Sequence, residues 1–84
     1  MKYDYLVSIG GKLVKAELDK DGNWVSAVFY VPSFDDGNGN SDFLKFWEDV
    51  VEFEMLWGGY RFYFPTVTIT VIVDKKLFKK YNRL

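Results

Sequence analysis

The chain has 84 residues and a formal net charge of −1, from 11 basic and 12 acidic side chains, with 49% hydrophobic and 20% aromatic residues. That is enough apolar content to bury one core and too little length for two. Histidine and cysteine are both absent. Their absence excludes disulfides, cysteine-ligated metal sites, and catalysis built on an imidazole or a thiolate.

In chain order, Lys2 to Ile9 alternates, with Tyr3, Tyr5, Val7 and Ile9 on one side, and predicts a first strand. Gly10-Gly11 suits the positive φ of a two-residue hairpin, and Lys12–Leu18 resumes the alternation. Asp19 to Asn23 is turn chemistry, and the β-branched and aromatic run Trp24–Val31 is a third strand, closed by Pro32. Ser33 to Asn40 is a polar, glycine-rich loop. Ser41 or Asp42 can cap a helix running from Asp42 to Trp57, with Gly58-Gly59 as its stop. Tyr60–Phe64 and Thr66–Asp74 read as one long strand kinked at Pro65. In its second part Val67, Ile69, Val71 and Val73 face the core and Thr66, Thr68 and Thr70 face water. Residues 75–84 form a short amphipathic helix or a frayed tail. The expectation is therefore an α+β fold, β-β-β-α-β, in one domain spanning residues 1–84. It comprises an antiparallel three-strand meander, one further strand, and a single helix packed on one face of the sheet.

The helix so predicted spreads its apolar residues over an arc of roughly 200°, about twice what one sheet face needs. It also puts Glu54 in the middle of that arc and Leu56 on the polar side. A carboxylate there requires a partner, and Arg61 is the candidate. The third strand looks buried on both sides, with Trp24, Val28 and Tyr30 facing one way. That trio marks a secondary apolar interface unless Leu77, Phe78 and Tyr81 fold back over it.

Charge is unevenly placed. Residues 33 to 57 hold Asp35, Asp36, Asp42, Glu48, Asp49, Glu52 and Glu54 against Lys45, while the stretch after Ile72 holds Lys75, Lys76, Lys79, Lys80 and Arg83 against Asp74. Asp36, Asn38, Asn40 and Asp42 follow the alternate spacing of a calcium loop. However, Ser41 stands where such a loop needs glycine and Trp47 where it needs its closing carboxylate, so no metal is expected. Tyr60-Arg61-Phe62-Tyr63-Phe64 lacks the small residues of an RNA-stacking motif and reads as core strand. Neither phosphate-cradling glycine motif is present, so no cofactor is expected.

These features suggest a small non-enzymatic protein-binding module. In type, though in no particular motif, it is like the inhibitors that phages and mobile elements direct against host defence, anti-CRISPR proteins among them. Asp35, Asp36, Glu48, Asp49 and Glu52 would meet a basic, nucleic-acid-handling site on a larger protein, with no direct contact to nucleic acid or membrane. A homo-oligomer built on the excess apolar face, or a small-molecule binder with an aromatic pocket, are the alternatives. With no signal-like or membrane-spanning stretch, the expected address is cytoplasmic, the host cytoplasm if the source is viral.

Overall fold

A computed structural model describes residues 3–34 and 41–82. Its elements are α1 (Asp4–Ser8), β1 (Lys12–Leu18), β2 (Trp24–Tyr30), α2 (Ser41–Trp47), β3 (Glu52–Leu56), β4 (Gly59–Tyr63), β5 (Thr68–Ile72) and α3 (Lys75–Asn82). The five strands make one sheet in the order β1-β2-β5-β4-β3. Every neighbouring pair is antiparallel except β2 and β5, which run parallel from Ser26↔Thr68 to Tyr30↔Ile72. The α+β class is as expected, and three segments differ from the sequence reading.

The first predicted strand is the helix α1. Tyr5 and Leu6 are buried while Val7 is exposed, a helical rather than an alternating pattern. Gly10-Gly11, read as a hairpin turn, is instead the helix stop. The Gly11 amide donates to the Leu6 carbonyl at 2.8 Å and the Gly10 amide to Val7 at 3.0 Å, with Gly10 at φ +88°. This is the paired closure that a left-handed residue after a helix makes possible. A Cβ on Gly11 would press against that same Leu6 carbonyl and Val31.

The long predicted helix ends at Trp47, and its second half is the strand β3. Val50-Val51 are β-branched and poor in a helix interior, and Glu52-Phe53-Glu54-Met55 alternates at period two. The misplaced Glu54 and Leu56 of the helical reading are thereby resolved. The kinked strand at Pro65 is likewise two strands, since the Phe64 amide donates to the Val67 carbonyl at 2.9 Å and closes a tight turn over Pro65-Thr66. Proline's fixed φ serves such a turn and has no amide to waste there.

One face of the sheet carries the main core. Ala27, Phe29, Phe62, Ile69 and Val71 pack under Tyr5 and Leu6 of α1 and Phe43 and Phe46 of α2. Edge-to-face rings lock α2 to the sheet, with Phe46 5.0 Å from Phe62, and α1 to α2, with Tyr5 5.6 Å from Phe43. Val67, Ile69 and Val71 are core as expected, but Thr70 is buried too, because α3 covers the centre of the opposite face. Asp74 caps α3, its Oδ1 accepting the Leu77 amide at 2.9 Å, and Phe78 stacks on Tyr30 at 4.0 Å.

At the β1–β2 turn, the Asp19 carboxylate accepts the amides of Asn23 and Asp21, each at 2.9 Å. The bond from Asn23 leads in holding its pKa below the ordinary aspartate range.

Leu6 and Val7 separate the helical from the extended reading of the first segment. Leu6→Ala should cost about 2–5 kcal/mol in denaturant melts, and Val7→Ala should stay within about 0.5 kcal/mol. The reverse order would restore the strand.

Candidate functional site

β3 is one edge of the sheet, and its alternation sorts two chemistries onto two faces. Pairing with β4 sets Phe53 opposite Phe62 and Met55 opposite Tyr60, while Glu52 lies opposite Tyr63 and Glu54 opposite Arg61. Leu56 and Gly59 close the hairpin through Trp57-Gly58, with Gly58 at φ +79°, the backbone state that the third position of a type II turn requires.

On the first face the rings form a wall. Phe53 stacks on Phe62 at 5.2 Å and on Tyr60 at 5.8 Å, and Trp47 from the end of α2 meets Phe53 edge-on at 5.5 Å. Trp47 also stacks on Phe43 at 6.1 Å. Between them opens a groove of about 360 Å³ lined by Phe34, Phe43, Trp47, Phe53, Met55, Tyr60 and Phe62. All of the lining is apolar or aromatic, as in a site for an apolar side chain rather than for a charged ligand. Around it Met55 is 75%, Trp57 73% and Val51 68% exposed. Such side chains are worth about 1.5–3 kcal/mol each when fully buried, so their concentration on one edge is unusual for a domain with a saturated core.

On the second face Glu54 Oε1 lies 3.6 Å from Arg61 Nη1 and accepts the Tyr63 hydroxyl at 2.9 Å. Arg61 Nε in turn donates to Thr70 Oγ1 at 3.3 Å. Arg61 is thus the partner anticipated for Glu54, reached across a hairpin instead of from a helix end. The pair is substantially exposed and water screens it.

The anticipated acidic residues are dispersed relative to expectation. Asp35 and Asp36 lie outside the described residues, as do Asn38 and Asn40 of the calcium-like spacing. Glu48 and Asp49 sit in the turn that follows α2, and Glu52 opens β3; all three are exposed. They share no helical face, because the helix has ended, yet the turn delivers them to the same edge as the apolar ridge. Among the described residues no cluster of three carboxylates gathers as a metal site.

The anticipated apolar trio is split. The β1–β2 register passes from Glu17↔Ser26 to Leu18↔Trp24, leaving Val25 as an extra, bulged residue. A bulge reverses the alternation beyond it, so Trp24 turns to the core side and lies 4.4 Å from Tyr3, apart from Val28 and Tyr30. Those two lie under α3, which the chain itself supplies. The largest apolar exposures are instead those of Met55, Trp57 and Val51, with Phe53 partly exposed beside them; among the described residues Val7, Leu13, Leu18, Val25 and Leu44 are exposed elsewhere. The Glu-Phe-Glu-Met alternation was the signal that could have located the β3 edge.

Searches with this chain against family models, curated proteins and solved structures found no match. Among the described residues no helix is long and apolar enough to cross a membrane.

Because the Glu54–Arg61 pair is exposed, Glu54→Ala should lower stability by no more than about 1 kcal/mol. Denaturant melts check this, and a loss several times larger would make the pair a structural anchor of the hairpin.

Proposed function

We propose that this chain is a small, non-catalytic protein-binding module that docks through the β3 edge. The observation that carries the reading is the ridge of Val51, Phe53, Met55 and Trp57 left on the surface beside an aromatic groove. Carboxylates flank that ridge at Glu48, Asp49 and Glu52. The two chemistries would divide the work. Buried apolar side chains supply most of the affinity, whereas exposed charges mainly raise the rate of encounter and select a partner of opposite sign. A partner with an apolar centre and a basic rim fits both. An inhibitor that occupies a nucleic-acid-handling surface on a larger protein is the form of module we favour, since such surfaces are basic by necessity. A second reading, self-association of the same ridge, draws on the same exposed side chains.

The partner is to be captured with the wild-type chain and its binding kinetics measured. Met55→Asp should weaken binding by about 30-fold or more, the scale of losing a hot-spot side chain, with the fold intact because the side chain is exposed. The double change Asp49→Lys, Glu52→Lys should slow association at low salt, and the difference should close as salt rises. Binding that survives Met55→Asp but is lost on changing Lys76 and Lys80 would move the surface to α3. Light scattering that shows a dimer dissolved by Met55→Asp would favour self-association.

A further inference from the structure

We infer that β3 engages its partner by strand addition, and that the segment it accepts is extended and alternates basic with apolar side chains. The inference rests on β3 being the docking edge and adds the mode of contact and the chemistry of the partner.

The two edges of the sheet are built differently. β1 carries Lys12 and Lys15, and its pairing with β2 shifts register twice, between Leu13 and Lys15 and again between Glu17 and Leu18. Lysines and bulges of this kind blunt an edge against further pairing. Within Glu52–Leu56 β3 has neither device; its irregularity lies just before, where the Val51 amide donates at 2.8 Å to the carbonyl of Tyr63, the residue paired with Glu52. From Glu52 to Leu56 its register with β4 is unbroken, and the segment contains no lysine, proline or glycine. Among the described residues no strand lies outside it. A two-residue loop closes on the pair Leu56↔Gly59, and antiparallel ladders alternate bonded and non-bonded pairs. By that alternation Phe53 and Met55 direct their backbone amides and carbonyls away from β4, toward the open edge. An added strand would meet a short, regular row of donors and acceptors.

The side chains then set the code. Residues opposite each other across a ladder share a face. An incoming strand therefore places one set of side chains beside Phe53, Met55 and Trp47, where apolar groups fit the groove. It places the other set beside Glu52 and Glu54, where lysine or arginine fits. Glu54 is already oriented, since both Arg61 and Tyr63 contact its Oε1. A second copy of this chain fits less well. The antiparallel register that overlaps the strand completely sets Glu54 against Glu54 of the copy; of its two neighbours, one sets Glu52 against Glu54, and the other, centred on Met55, sets Glu54 against Leu56 and leaves it no basic partner. Like charges directly opposite are destabilising.

The test uses the whole chain and three labelled seven-residue peptides, read by fluorescence anisotropy. One alternates valine and lysine, one alternates valine and glutamate, and one has the valine–lysine composition in two blocks. The alternating valine–lysine peptide should bind at least about tenfold more tightly than either control. Met55→Pro, which removes an outward-facing amide while sparing the bonds to β4, should abolish that binding. Glu52→Lys should shift preference toward the glutamate peptide, and it decides the matter if the proline variant does not fold. Equal binding of the three peptides, or binding undiminished in a folded Met55→Pro variant, would overturn strand addition. If no peptide binds yet Met55→Asp still releases the captured partner, strand addition falls and the docking edge stands. If Met55→Asp has no effect on that partner, the edge itself is wrong.

Discussion

The parallel ladder between β2 and β5 is the constraint from which the rest of the fold follows. Among the described residues it is the only pairing between the N-terminal strands β1 and β2 and the C-terminal strands β3, β4 and β5. A parallel neighbour cannot be reached by a tight turn, so the chain must leave the sheet and return. Here the excursion is occupied by α2 and the β3–β4 hairpin. Because β2 and β5 lie at the centre, both of their faces must be covered. Ala27, Phe29, Ile69 and Val71 are sealed beneath α1 and α2, and Val28, Thr70 and Ile72 are buried on the side where α3 lies. A domain of this size meets that demand with rings, which bury much area per residue and lock at defined angles.

Covering the centre leaves the edges to local solutions. β1 is irregular and lysine-bearing, and water can have it. β3 is regular and faces outward with aromatic and aliphatic side chains, although α2 is short and ends beside it at Trp47. A longer helix would have covered this ground. The early end of α2 therefore does two things at once: it releases residues to become the fifth strand, and it leaves the aromatic groove open. The functional proposal depends on that local geometry and not on the fold class, which serves many activities.

Much of this was legible from residue order alone. The strand read at Trp24–Val31, observed as Trp24–Tyr30, and the buried side of Val67, Ile69 and Val71 are each written in a clear period, whereas residues 75–84 admit a helix or a frayed tail and the helix is what forms. The Glu54–Arg61 pair was anticipated because a carboxylate among apolar neighbours needs a partner in any conformation. The misread segments share one property, that their apolar residues satisfy two periods. Tyr5, Val7 and Ile9 alternate, yet Tyr5, Leu6 and Ile9 also share a helical face, and Gly10-Gly11 can end a helix as readily as turn a hairpin. Over 50–57 the apolar residues taken together suit a helical wheel, and the two residues that violate it, Glu54 and Leu56, carry the information. Of the candidate site, the identities of Glu48, Asp49 and Glu52 were readable and their setting was not. The Trp24 trio failed for a reason no pattern reveals, a single bulged residue at Val25.

The central claim is that the open side of β3 is where a partner attaches. Residue-resolved amide hydrogen exchange, on the free chain and on its complex with the captured partner, tests it most directly. In the free chain the amides of Phe53 and Met55 should exchange fast while those of β2 and β5 are protected, and in the complex Phe53 and Met55 should become slow. Protection that appears on α3 or β1, with Phe53 and Met55 unchanged, would contradict the account.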